Sequence, residues 1–304
     1  MKKICLYITL LIGFNACEDV VDVDLPTEEP RLIVDAVIRI DTSNDIQMAT
    51  VKINLTNSFF ENITPLSLDD LDTLVLANLD FTPTASDPNI INFREVNPGV
   101  FEGFNGSDFF TSGRLVLGIV YQGQTYLSQT SFVEAAPIDN LEQGDGTLFD
   151  EDDTEVIITF TDNANQEDFY IFDFDFDEFL VSPDIFYEDQ QFEFSYFYDK
   201  NLQPGQRVEI SILGADRSFF NYMGQVIDQS DGNLGPFGVP AATVRGNIAN
   251  VTGIDIGDIE DVTNLNTIDL FNTIAALNSE ENLNNFALGY FAVVEEFSET
   301  LIIE

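Results

Sequence analysis

Short runs in which every second residue is apolar recur along most of this chain of 304 residues. In the first run, residues 31–40, the apolar positions are Leu32, Val34, Ala36 and Ile38. Because successive side chains of an extended strand point to opposite faces, this spacing turns one face of the run toward a core. Gly, Pro, Asn and Asp separate the runs, as they separate the strands of all-β proteins. The pattern therefore predicts a mainly β fold.

The first half of the chain is expected to form one β-sandwich. Beyond the first run, further strands are predicted at residues 49–56, 72–81, 100–104, 114–121 and 125–133. Short strands at this spacing, with no convincing helical periodicity among them, are typical of two antiparallel sheets packed face to face. We therefore predict an N-terminal immunoglobulin-like β-sandwich over residues 31–137.

The second half is expected to be another β-rich domain. Residues 138–154 are rich in glycine and acidic residues, have little to bury, and predict an acidic linker. Residues 155–304 alternate again and predict a second β-rich domain with one or two inserted helices. One helix is expected near residues 216–229, where Asp216 can cap a segment whose apolar residues recur at helical spacing. Residues 268–277 predict the other helix.

The N-terminal residues have the order of an export signal. A basic start is followed by an apolar run over residues 4–14 and then by Cys17. This run is too short to span a bilayer as a permanent helix, so it predicts a signal peptide over residues 1–16. Cys17 is the only cysteine outside that peptide, so the mature chain cannot form an internal disulfide. Lipid attachment at Cys17 explains this lone thiol; the alternative is an ordinary signal peptide with an incidental cysteine.

A lipidated acidic tether is predicted over residues 17–30. Glu18 and Asp19, directly after the cysteine, resemble the export tag that sends lipoproteins of Bacteroidota to the outer face of the outer membrane. The resemblance implies a protein that is lipid-anchored in the outer membrane and faces the cell exterior. Because the chain is strongly acidic, acyl chains and not a basic patch would hold it there.

The residue types that are missing exclude whole classes of function. Acidic residues outnumber basic ones by 54 to 11, so nucleic acid is excluded as a partner. The chain has no His, which removes Ser-His-Asp and Cys-His catalysis and the usual nitrogen ligand of zinc, copper and haem. We therefore predict a non-catalytic protein without a cofactor. Calcium binding and catalysis by paired carboxylates stay open as alternatives.

One local pattern offers carboxylates for such a site. Phe and Asp alternate over residues 172–177, which as a strand would put three rings on one face and Asp173, Asp175 and Asp177 on the other. With Glu193 from the next strand, this row suits a calcium site or an acid/base pair. The alternative is an antiparallel sheet with one solvated face and no ligand.

Two weaker candidate sites lie elsewhere. Asp150 and Asp152 belong to an acidic cluster with the oxygen density that calcium favours, but without the spacing of an EF-hand loop. The triplet around Thr73 resembles a short O-glycosylation acceptor of Bacteroidota, which implies a glycan on Thr73.

Several short motifs resemble a family of Bacteroidota lipoproteins known as domain of unknown function 4249. The motifs in the C-terminal part of the chain are Gly235-Pro236-Phe237-Gly238-Val239-Pro240, Val244-Arg245-Gly246-Asn247-Ile248, Asn250 and Leu288-Gly289-Tyr290-Phe291-Ala292-Val293. In the front part they are Leu32-Ile33-Val34-Asp35-Ala36-Val37-Ile38, Thr125-Tyr126-Leu127-Ser128 and Ala136-Pro137-Ile138-Asp139. The resemblance implies an outer-membrane β-barrel partner, namely a TonB-dependent transporter or a relative. The acidic residues 254–261 are a departure that would alter partner or ligand preference.

The resulting functional hypothesis is a surface-exposed lipoprotein that assists such a barrel in ligand capture or uptake. A structural subunit of an outer-membrane assembly or secretion complex is the main alternative. A calcium-stabilised adhesin and a carboxylate-based glycoside hydrolase, acting through Asp173, Asp175, Asp177 and Glu193, are further alternatives.

Overall fold

A computed structural model describes residues 30–57, 63–84, 87–148, 153–163, 167–183, 185, 190–198, 200, 202–230, 244–255, 257 and 286–304. Over these residues the protein is mainly β, which confirms the predicted fold class. The first strands are β1 (Leu32–Ile40), β2 (Ile46–Leu55), β3 (Thr64–Pro65), β4 (Thr73–Asn78), β5 (Ile90–Asn92), β6 (Arg94–Asn97), β7 (Val100–Gly106), β8 (Leu115–Tyr121), β9 (Gln124–Thr130) and β10 (Phe132–Val133). The later strands are β11 (Ile138–Gln143), β12 (Thr154–Thr161), β13 (Phe169–Asp173), β14 (Phe179–Pro183), β15 (Gln191–Tyr198), β16 (Arg207–Ala215), β17 (Ala249–Asn250) and β18 (Leu288–Ile302). The α-helices among the described residues are α1 (Ser107–Thr111) and α2 (Arg217–Ser230), and Leu68–Asp70 form a 3₁₀ turn.

The largest sheet has ten strands and joins the two halves of the chain; we call it the long sheet. Its main order is β14-β13-β16-β18-β1-β2-β7-β6, with β10 paired to β18 and β3 to β2. The last strand, β18, lies in the interior, where it runs parallel to β1 and antiparallel to β16. The two expected β-rich units therefore share one sheet.

Two smaller sheets pack on the same face of the long sheet. The five-stranded sheet β17-β9-β8-β4-β5 covers the end that contains β1, and the three-stranded sheet β11-β12-β15 covers the end that contains β16. On β18, Val293 faces the first core, and Phe297, four residues later, pairs with Ile212 of the second core. Residues four apart on a strand point to the same face, so two sandwiches lie side by side on a common sheet.

The connection between the halves crosses the long sheet closely. The backbone N–H of Ala135 donates a hydrogen bond to the buried carboxylate of Glu295 at 3.0 Å. At Gly214, a Cβ atom would lie 2.1 Å from the carbonyl oxygen of Glu134, so only glycine leaves room for the crossing chain. The predicted linker over residues 138–154 is wrong in its first part, because Ile138–Gln143 form β11 and pair with β12.

Helix α2 lies on the opposite face of the long sheet. Asp216 caps it as predicted, since its carboxylate accepts a hydrogen bond from the N–H of Phe219 at 2.7 Å. Phe219 is buried against Tyr290 of β18. Helix α1 was not predicted because its five residues are too few for a helical period. The helix predicted at residues 268–277 lies outside the described residues.

Replacing Gly224 with Ala is expected to stabilise the protein. Gly224 lies inside α2, where glycine disfavours the helix by roughly 0.5–1 kcal/mol relative to alanine. A Cβ atom there would have Val181 Cγ2 at 3.7 Å, an ordinary contact. Urea denaturation should therefore show a higher free energy of unfolding, and a decrease would contradict this packing of α2.

The motif Val244-Arg245-Gly246-Asn247-Ile248 contacts β18 and holds it in place. A Cβ atom on Gly246 would lie 1.5 Å from the carbonyl oxygen of Gly289, so the two backbones meet directly. Next to this contact, the Asn247 amide donates to the carbonyl of Phe291 at 2.7 Å and accepts from its N–H at 2.9 Å. Asn247 thus bonds β18 as a neighbouring strand would, which gives the motif a structural purpose.

Candidate functional site

A cavity of about 780 Å³ opens between α2 and the long sheet. Helix α2 packs over β13, β14 and β16, and the cavity extends from its edge toward β1. Its floor includes Val37 from β1 and Leu213 from β16, and its wall includes Tyr222, Met223 and Val226 from α2. All five side chains are apolar over most of their surface. An apolar ligand body placed between this wall and floor would therefore contact hydrocarbon and aromatic groups.

Two tyrosines stand at the centre of this lining. The Tyr290 ring contacts the rings of Phe219 at 5.0 Å and Tyr222 at 4.7 Å between centroids. Burial raises the pKa of Tyr222, and the nearby charge of Asp35 raises it further. Burial also raises the pKa of Tyr290, with smaller contributions from Asp216 and Tyr222. Both hydroxyls are therefore neutral near pH 7 and can donate or accept hydrogen bonds.

An ion-pair network closes one side of the cavity. Arg39 of β1 donates to Asp173 of β13 at 2.7 Å and to Glu296 of β18 at 3.1 Å. Burial lowers the pKa of Arg39, but the charges of Glu296 and Asp173 outweigh this effect and raise it overall. The three side chains come from distant parts of the sequence, so the network ties the two halves together.

A second ion pair lies on the exposed side. Lys52 of β2 contacts Asp35 of β1 at 3.0 Å, and their side chains are 54% and 53% exposed. Solvent screens such a pair strongly, so it contributes little to stability. It places a further cation and a further carboxylate at the cavity mouth.

The predicted row of three aspartates is not formed. Strand β13 ends at Asp173, and the chain turns through Asp175, Phe176 and Asp177 at φ values of 64°, 54° and 62°. Left-handed residues cannot continue a strand, so alternation of Phe and Asp suggested a strand longer than the real one. The turn is held in place at Phe174, which is buried and whose carbonyl accepts a hydrogen bond from the Tyr198 hydroxyl at 2.6 Å.

All three aspartates nevertheless line the cavity. Asp173 pairs with Arg39, and the carboxylate of Asp175 accepts a hydrogen bond from the N–H of Phe176 at 2.8 Å. Asp177 has no hydrogen-bond or ion-pair partner within the part of the chain that the structure describes. Glu193 lies on β15 and does not line this cavity, so the proposed acid/base set is not brought together there.

The described residues do not form a metal site at the predicted positions. Among the described residues, no three His, Cys, Asp or Glu side chains are grouped closely enough to hold a metal ion. Asp150 and Asp152 lie outside those residues, so calcium binding stays a prediction. Thr73 is half-buried at the start of β4, where it pairs with Val120, and its glycosylation also stays a prediction.

Cys17, Glu18 and Asp19 lie outside the described residues, so lipid attachment and export are not tested by the fold. No helix in the described ranges is long and apolar enough to cross a membrane. Sequence reasoning missed Arg39, Tyr222, Lys52 and Glu296. Arg39 offered one signal, since it is a rare cation in a chain with 54 acidic residues.

Comparison with known families gives a match over most of the chain. The profile of a family described as Domain of unknown function (DUF4249) matches residues 18–256. This span includes every strand from β1 to β17, both helices and most of the cavity lining. No curated protein matches the chain.

Proposed function

The chain belongs to the family Domain of unknown function (DUF4249), and from this premise we propose that it is a non-catalytic ligand-capture lipoprotein. It is anchored through Cys17 in the outer membrane, faces the cell exterior and assists a β-barrel transporter. The tether over residues 17–30 leads directly into β1, one of the strands that line the cavity. Anchor, tether and binding site would thus follow one another along the chain.

The observation that carries the proposal is the cavity beside α2. Its volume of about 780 Å³ falls within the range of small-molecule sites. Apolar and aromatic side chains form its wall and floor, and six charged side chains line it as well, so both an apolar body and a charged group of a ligand would find contacts. The missing His removes the commonest acid and base of enzymes, which favours binding over catalysis.

An exposed apolar surface supports a protein partner. Ile46, Met48 and Phe104 are 70%, 46% and 47% exposed, and Met48 pairs directly with Phe104. They lie on the same face of the long sheet as Lys52, because Met48 and Lys52 are four residues apart on β2. Clustered exposed apolar side chains are typical of interaction sites. A barrel bound here would lie next to the cavity mouth.

Co-purification tests the partner. The native lipidated protein, extracted in a mild detergent, is expected to bring down an outer-membrane β-barrel transporter in stoichiometric amount. An Ile46→Asp/Phe104→Asp variant should lose this partner, whereas Asp69→Asn, outside the surface, should keep it. Recovery of assembly or secretion subunits instead of a transporter would favour the structural-subunit alternative.

Replacing Cys17 with Ala is expected to release the protein from the outer membrane. Without the thiol no acyl chain can be attached, and the strongly acidic body has no other affinity for an anionic membrane. Cell fractionation and protease treatment of intact cells would measure this, with Cys5→Ala as the matched control. Persistence of the Cys17→Ala protein on intact cells, still open to protease, would contradict the anchor.

A further inference from the structure

We propose that the cavity beside α2 selects compact organic cations, that is, amines joined to an apolar or aromatic body. This inference rests on the proposed function, because it names the chemical class of the captured ligand. The occupant is a small molecule, since a half-open cavity of about 780 Å³ suits a drug-sized ligand and not a folded partner.

The apolar part of such a ligand has a defined place. Tyr222, Met223 and Val226 form one wall and are each half-buried, while Val37 and Leu213 lie on the floor. A flat or branched hydrocarbon body between them would remove apolar surface from water on both sides. The methionine can adapt to different shapes because its side chain is unbranched and polarizable. The wall therefore favours an apolar body without requiring one exact structure.

The charges of the lining decide the sign of the ligand. Four carboxylates line the cavity, on Asp35, Asp173, Asp175 and Asp177, against two cations, on Arg39 and Lys52. Both cations are already held by carboxylates, Arg39 by Asp173 and Glu296 and Lys52 by Asp35. A ligand anion would have to compete with these pairs. A ligand cation meets an excess of negative charge.

The turn after β13 supplies the attracting group. Asp175 and Asp177 lie on the same turn at the cavity margin, and neither is paired with a cation among the described residues. The ring of Phe176 between them already has the ammonium group of Lys200 4.5 Å from its centre, whereas the half-buried ring of Tyr222 lies across the cavity. An ammonium group near the carboxylates could also contact an aromatic face, which attracts cations. The net charge of −43 adds a long-range field of the same sign.

A matched pair of fluorescent probes tests the selection. N-dansylcadaverine and N-dansyl-6-aminohexanoate share the aromatic group and a similar alkyl chain but end in an amine and a carboxylate. Binding is measured by dansyl fluorescence anisotropy on the lipidated protein in zwitterionic nanodiscs, with empty nanodiscs as the blank. The cationic probe is expected to bind roughly tenfold more tightly at low salt. Equal binding, preference for the anion, or no binding of either probe would overturn the proposal.

A charge-matched pair of variants locates the site. Asp175→Asn/Asp177→Asn removes both carboxylates but keeps the turn, because asparagine tolerates the left-handed conformation. Asp69→Asn/Asp108→Asn removes the same charge from exposed positions that do not line the cavity. The first variant should bind the cationic probe roughly threefold to tenfold more weakly, and the second by less than about twofold. Equal losses would mean that only the overall charge attracts the amine and would overturn the site.

The result also separates this inference from the proposed function. If the native protein brings down a transporter but the amine probe does not bind, only the ligand class is wrong. If the probe binds selectively and no transporter is recovered, the barrel partnership is wrong and the cavity assignment stands. Melting curves of both variants would show whether a loss of affinity reflects unfolding.

Discussion

Replacing Gly289 with Ala is expected to lower the free energy of unfolding by roughly 3 kcal/mol or more. Gly289 is the second residue of the interior strand β18 and has a φ of 93°, which alanine rarely adopts. Its added Cβ would also lie 1.9 Å from the carbonyl oxygen of Val34 on the neighbouring strand. The carbonyl oxygen belongs to the backbone, and the backbone also fixes the position of a Cβ, so no side-chain rotation can relieve the contact. Relief requires β1 and β18 to separate at the centre of the long sheet.

A second glycine isolates the steric part of this effect. Gly205 has a similar φ of 84°, but a Cβ atom there would meet nothing within 4 Å. Gly205→Ala should therefore cost only the conformational part, about 1 kcal/mol. Thermal and urea denaturation of both variants would give the difference. Similar losses for Gly289→Ala and Gly205→Ala would mean that β18 does not approach β1 as closely as described.

Replacing Arg39 with Met is expected to have the next largest effect, about 2–3 kcal/mol. The change keeps the alkyl stem but leaves the carboxylates of Asp173 and Glu296 without their cation. These side chains are only 16% and 19% exposed, so water compensates them incompletely. Arg39 itself is 34% exposed, which keeps the effect below that of a fully buried pair. Urea denaturation near pH 7 would measure the loss.

A rescue variant tests the cause. Arg39→Met/Asp173→Asn/Glu296→Gln removes the unpaired charges together with the cation and should recover most of the lost stability. The amide that replaces the Asp173 carboxylate would keep an oxygen to accept the hydrogen bond that Asp173 receives from the N–H of Asp175 at 3.0 Å. As a control, Lys52→Met should change stability by less than about 1 kcal/mol, because its pair is exposed. Failure of the rescue would assign the loss to packing of the arginine stem.

Local patterns predicted several elements well. The run at residues 31–40 is β1, Leu32–Ile40, with its apolar residues buried as alternation requires. The helix expected near residues 216–229 is α2, Arg217–Ser230. Both predictions rest on the spacing of apolar residues over a few neighbouring positions. Backbone geometry alone sets that spacing in a strand or a helix. The Phe–Asp alternation failed at Asp173 because long-range contacts act there: the buried ring of Phe174 stacks on Tyr196, the Tyr198 hydroxyl binds the Phe174 carbonyl, and the chain turns through left-handed residues.

The candidate site was predicted only in part. The three aspartates that we predicted as calcium ligands or as part of an acid/base pair line the cavity around a turn and not along one strand face, and calcium binding stays a prediction. Arg39 and Tyr222 were not expected there. Arg39 occupies a polar position of β1, as in many strands with one solvated face. Tyr222 lies on α2, and the sequence does not show which sheet this helix packs against. For neither residue does the sequence reveal which side chains it contacts in the folded protein.

Sequence alone determined the β class of this protein, the inward face of β1 and the start of α2 at Asp216, because side-chain period and capping act over a few residues. Only the tertiary structure decided that β18 pairs with β1, across more than 250 residues of chain. That pairing joins the halves, brings Arg39 to Asp173 and Glu296, and creates the cavity floor. Strand neighbours depend on which faces can be buried together by the whole chain, and alternation within one strand does not identify its partner.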